Sequence, residues 1–141
     1  MLTEHFSELE LTESDTATRL GIDNTPSQSV LENLMKTAIG MELVRKYLGD
    51  LPIRISSGYR SPALNAAVGG SMGSSHLLGQ AVDFTCPAFG TPEQVVAALS
   101  ASDIEFDQCI WEFSRWVHIS FTDKKRRQVL TIDRRGTRSF A

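Results

Sequence analysis

"FDQCIWEFSRWVHISF", residues 106–121, is the stretch whose reading decides the fold. It divides into two strand-like runs, "FDQCIWEF" and "WVHISF", rich in aromatic and β-branched residues and close enough in sequence to form a hairpin. Under the two-residue period of a strand, His118 shares a face with Trp116 and Ser120. If Ser114 to Trp116 form a three-residue loop, Glu112 stands directly opposite His118, with Cβ atoms about 4.5 to 5.5 Å apart. A two-residue loop would instead send the two side chains to opposite faces.

Working outward, "QVLTID" (128–133) supplies a further strand downstream. Upstream, "TPEQVVAALSAS" (91–102) is a helix with a Thr91 cap and Pro92 at its first position. "QAVDF" (80–84) and "IRIS" (53–56) read as strands, and "SPALNAAV" (61–68) as a short helix feeding the loop "GGSMGSS". From Ser27 to Leu48, the residues Val30, Leu31, Leu34, Ala38, Met41, Val44 and Leu48 recur at helical spacing until Gly49. That is the main helix. "TESDTATRL" (12–20) reads as a short helix capped by Thr12 and stopped at Gly21. Helices come first and most strands last, so the expected class is α+β: a small, mainly antiparallel sheet packed with helices.

The chain of 141 residues, 41% hydrophobic and 22% charged, is read as a single domain over residues 1–141. No apolar run approaches the roughly 20 residues needed to span a bilayer. "MLTEHFSELELTESD" carries acids where a secretory signal would carry bases and an apolar block, so the chain is expected in the cytoplasm of its host cell until released. Cys86 and Cys109 lack zinc-cluster spacing and are read as reduced, buried thiols. Seven of the fourteen lysines and arginines fall in residues 124–138. This basic segment is either an attractor of anionic polymer or a charged strand edge. It is too short and too poor in aromatics to argue for nucleic acid.

Of three histidines, His5 lies near the terminus and is read as an ordinary polar residue. His76 sits in a glycine-serine loop, and Asp83 lies seven residues on, inside an apolar strand. Burying an unpaired carboxylate there would cost several kcal/mol, so a cation should compensate it. Two imidazoles and a carboxylate, His76, His118 and Asp83, suit three corners of a tetrahedral zinc with the fourth left to water. Glu112 is the candidate general base, with an exposed strand residue as the alternative. Arg60, on a turn between strand and helix, can clamp a carboxylate or polarised carbonyl, and a salt bridge would explain it equally well. Ser74 orients the loop, binds substrate or is simply a loop residue, as serine in a glycine-rich loop ordinarily is.

Together, "SSGYRSPALNAAVGGSMGSSHLLGQAVDF" and "WVHIS" resemble the zinc D-Ala-D-Ala carboxypeptidase family of metallopeptidases, and in particular its short phage-type branch. The matching pieces are S-G-Y-R-S-P, the S-x-H-x-x-G-x-A-x-D pattern at Ser74 to Asp83, and W-V-H, spread over residues 53 to 121. The resemblance implies that His76, Asp83 and His118 bind one catalytic zinc, that Arg60 holds substrate or transition state, and that the substrate is a bacterial peptidoglycan stem peptide. It also implies the fold shared with hedgehog signalling domains. One position departs from the pattern: several branches place an acidic base three residues before the last zinc histidine, where this chain has Arg115. The six-residue offset of Glu112 is similar to the arrangement in hedgehog-type domains.

The sequence therefore leads to a zinc peptidase of bacterial peptidoglycan, an endolysin of a phage or prophage, acting on the wall after release. The alternative is a zinc-stabilised binding or virion module that keeps the fold without turnover. Which wall bond is cut stays open between endopeptidase and carboxypeptidase action. A monomer is expected, because no apolar stripe is left over once the core is assigned.

Overall fold

The computed structural model describes residues 1–140, and its frame is one six-stranded sheet. In chain order the strands are β1 (Arg54–Ser57), β2 (Ala81–Thr85), β3 (Gln108–Glu112), β4 (Trp116–Ser120), β5 (Gln128–Asp133) and β6 (Gly136–Ser139). Their spatial order is β1-β2-β4-β3-β5-β6. The helices are α1 (Glu8–Thr12), α2 (Asp15–Leu20), α3 (Gln28–Tyr47), α4 (Pro62–Ala67) and α5 (Pro92–Ser100), with a 3₁₀ turn at Ser75–Leu78.

Alternation along the central strands separates two faces. Val82 and Phe84 of β2, Cys109 of β3, and Val117 and Ile119 of β4 join Val30, Leu34, Ala38, Met41 and Val44 of α3 and Val95, Val96 and Leu99 of α5 in one core cluster. The intervening residues, Asp83, Ile110, Glu112, Trp116 and His118, line the opposite face. One side of the sheet is thus spent on packing and the other is left for polar groups. Both cysteines are buried and free, and burial pushes the Cys109 thiol up to about 12.

The α+β class holds, but the sheet is mixed rather than mainly antiparallel: β3 and β5 run parallel, Gln108 to Glu112 against Gln128 to Ile132. β4 ends at Ser120, beside the start of β3, so a short connection can step past that end and start β5 in the direction of β3. Basic side chains hold the step in place. Arg126 forks onto buried Asp107 at 2.7 and 2.9 Å. Arg127 donates to the carbonyls of Ile104 and Ser102 and lies 4.5 Å from the Phe106 ring centroid. Lys125 pairs with Glu105 and Arg138 with Asp133, so much of the charge run is internally matched.

Three other expectations change. The helix expected over residues 12–20 starts later, at Asp15, because Ser14 is extended and caps α2 through Ala17 N–H, while Thr12 instead closes a separate helix, α1, with its hydroxyl on Glu8 O. The hairpin closes one residue earlier than expected, over Phe113 to Arg115, where Phe113 and Ser114 both have positive φ. Glu112 therefore pairs with Trp116, and Ile110 stands opposite His118; a shift of two in partner keeps Glu112 on the His118 face. Finally, an apolar stripe is left over after all. Met35, Ile39, Leu43 and Tyr47 recur every four residues along α3 and are exposed, which removes the ground for expecting a monomer.

Candidate metal centre

Asp83 and His118 are directly opposed across β2 and β4, so the pleat points both side chains to the same face. His76 arrives from the 3₁₀ turn, whose cap is Ser74: its hydroxyl accepts the His76 N–H at 3.2 Å. The turn is clasped to the segment after β1, since His76 Nδ1 donates to Gly58 O at 2.7 Å and Arg60 N–H donates to His76 O at 3.0 Å. One oxygen, Asp83 Oδ1, then lies 3.2 Å from His76 Nε2 and 3.0 Å from His118 Nδ1. The three ligand atoms lie within 4.8 Å of one another, on residues that are buried or nearly so.

This set fits a cation. With Nδ1 committed to a carbonyl, a neutral His76 presents a bare Nε2 lone pair to a carboxylate oxygen, a contact that is repulsive unless a proton or a metal ion sits between them. Burial would raise the Asp83 carboxyl, but with protons on the facing nitrogens of His118 and His76 their hydrogen bonds and charge outweigh burial and hold the group well below the usual carboxylate range. Two imidazoles and one carboxylate form a nitrogen–oxygen donor set that could hold a metal ion.

A family model described as peptidase M15 matches residues 4–120, most of the chain. The chain belongs to the peptidase M15 family. Among curated proteins, the zinc D-Ala-D-Ala carboxypeptidase of Streptomyces albus G is 37% identical over 51 residues, 36% of this chain. The matched segment spans only 20% of that relative's length.

The remaining candidates in this M15 chain fall around the same cleft of about 420 Å³, which His76, Asp83, His118, Arg60, Ser74, Glu112 and Trp116 all line. Arg60 is tied down on three sides: Nη2 to Asp83 Oδ2 at 3.5 Å, Nε to Ser57 Oγ at 3.3 Å and Nη1 to Asn65 Oδ1 at 3.3 Å. It leaves Oδ1 of Asp83 for the histidines and neutralises Oδ2. Glu112 accepts the Trp116 indole N–H on Oε1 at 3.1 Å, across the pair that β3 and β4 make at their ends. The sequence signals gave no role at the site to Trp116, Asn65, Asn24 or the carbonyl of Gly58. Buried Asn65 also donates to Ser71 O, joining Arg60 to the glycine loop, and Asn24 bridges Thr12 O, Tyr59 O and Ser61 N–H. A Cβ at Gly70 would strike Asn65 Oδ1, so the loop can lie this close only as glycine. An asparagine inside a short helix is a poor helix former, and that was the available hint for Asn65.

Proposed function

We propose that this chain is a zinc-dependent peptidase of bacterial peptidoglycan stem peptides, with His76, Asp83 and His118 as the zinc ligands and Glu112 as general base. The observation that carries the reading is the convergence of Nε2, Oδ1 and Nδ1 around a point that their own partners leave chemically incomplete. Membership of the M15 family supports the peptidase chemistry, and the Streptomyces relative's name supports zinc and a D-Ala-D-Ala substrate class. The likeness of residues 53–121 to the short phage-type branch supports the finer reading, an endolysin of a phage or prophage acting on the wall after release.

When bound, zinc supplies Lewis acidity to the reacting carbonyl and water. His76 holds its ring orientation through Gly58 O, which fixes Nδ1 as the protonated nitrogen and leaves Nε2 free to ligate. Asp83 stays ionised, with Arg60 balancing its second oxygen. Trp116 holds Oε1 of Glu112, leaving Oε2 to take the proton from the attacking water and return it to the nitrogen of the leaving amine. Arg60 and Ser74 line the cleft where the substrate backbone would lie, and donors there favour a developing oxyanion.

The test is incubation of the zinc-loaded protein with purified walls of several chemotypes, followed by mass spectrometry of soluble fragments. New amine ends at one bond type are expected. Absence of release from every chemotype would favour a zinc-stabilised module without turnover.

A further inference from the structure

Two of the clefts that meet at the site face share aromatic residues. The first holds His76, Asp83, His118 and Glu112. The second, about 440 Å³, lies at the tip of the β3–β4 hairpin and is lined by Phe113, Ser114, Arg115, Trp116, Asp133 and Arg134. Phe113 and Trp116 belong to both, their ring centroids 5.9 Å apart and tilted by 49°. They form a shared aromatic wall between the metal group and the hairpin tip.

This second cleft carries unspent binding groups. Phe113 keeps φ at 51°, a left-handed conformation unfavourable for a bulky residue, while its side chain stays 47% exposed. Its backbone N–H is held by Ile132 O at 2.8 Å, so the ring is presented to solvent from an anchored backbone. Arg115 and Arg134 are exposed, and neither makes an ion pair among the described residues. The acid that lines the same cleft, Asp133, is already engaged by Arg138 at 2.7 and 2.9 Å. An aromatic floor beside two uncompensated guanidinium groups is suited to a flexible apolar stem that ends in a planar anion.

We propose that the hairpin-tip cleft is a subsite for a carboxylate of the peptide substrate, whose chain crosses Phe113 and Trp116 on its way from the metal group to Arg115 and Arg134. The proposal rests on the peptidase reading above and adds a substrate feature to it. That carboxylate has two sources: the terminal carboxylate of the stem peptide, as carboxypeptidase action would present, or an internal one, as endopeptidase action would present.

The sources can be separated with three synthetic stem pentapeptides ending in D-Ala-D-Ala: the free form, a C-terminal amide, and a form amidated on its internal carboxylates. Binding is measured by calorimetry on the zinc-loaded Glu112→Gln protein, in which the amide oxygen can still accept the Trp116 N–H. At least one amidation is expected to weaken binding about three- to tenfold, the scale of an exposed charge-assisted contact. In a second protein that also carries Arg115→Gln and Arg134→Gln, all three peptides should bind alike. A penalty for the terminal amide assigns the cleft to the chain end; a penalty for the internal amides assigns it to the middle of the stem. Equal binding of all three peptides, no measurable binding of any, or a preference that survives the double arginine substitution would overturn the subsite. Hydrolysis by the wild-type protein is assayed separately, so loss of the peptidase reading and loss of the subsite would be told apart.

Discussion

The two ends of the cleft are built differently. At the metal group two of the three side chains are held by a second partner, His76 by Gly58 O and Asp83 by Arg60, which is in turn held by Ser57 and Asn65. Toward the hairpin tip the Glu112 side chain has one hydrogen bond among the described residues, from the Trp116 indole, and Phe113 and the neighbouring arginines are exposed. The contrast separates holding from handling. Under the proposed roles, ligands gain from immobility, whereas a base must exchange its proton and a subsite must admit and release a chain.

Changes at the two ends should therefore fail in different ways. The largest effect is expected from His118→Ala, which should abolish both metal retention and wall hydrolysis and remove any rise in Tm on adding zinc; metal analysis of the purified variant checks it. A variant that keeps stoichiometric zinc would take His118 out of the ligand set. Glu112→Gln should keep its zinc yet lose about 10²- to 10⁴-fold in kcat, read by fragment release. Trp116→Phe should leave metal content unchanged and lower kcat about two- to tenfold, the worth of one hydrogen bond, with a shifted pH profile because the indole no longer holds Oε1.

The smallest effect lies outside the cleft and serves as a control for it. The Arg126 fork holds the Asp107 carboxyl at about 2, below its unfolded value of about 3.9, so its contribution to stability is complete above the unfolded value and is lost as pH falls toward about 2. Asp107→Asn should lower Tm by a few degrees at neutral pH, with the gap from wild type closing as the solution is acidified. Zinc content should not change. A gap that widened on acidification would reverse the assigned direction.

The legible parts of this molecule were those with local periodicity or a charge in the wrong place. The apolar period of α3 and the Thr91-Pro92 start of α5 are written in consecutive residues, and both elements stand where those signals put them. Asp83 was visible because a carboxylate between Val82 and Phe84 requires a cation, and two histidines do converge on it. The partner of β5 was not visible, since nothing local to 128–133 says whether it joins β4 or β3; Asp107 and Arg126 decide that from nineteen residues apart. The hairpin register was missed for a related reason. Phe113 and Ser114 take left-handed backbone without the glycine or asparagine that usually announces it. The division of α1 from α2 turned on which of two neighbouring hydroxyl residues acts as the cap.

Gly58 gives the amino-terminal segment a stake in the chemistry. A methyl group there would collide with the carbonyl of Leu11, which meanwhile accepts the N–H of Tyr59 at 2.8 Å; on its other side, Gly58 presents its own carbonyl to the His76 ring. The end of α1 and an imidazole sixty-five residues later thus press on opposite sides of a single peptide unit. Wedging that joint apart with Gly58→Ala should be felt first as slackened metal affinity, before any strand of the sheet has moved.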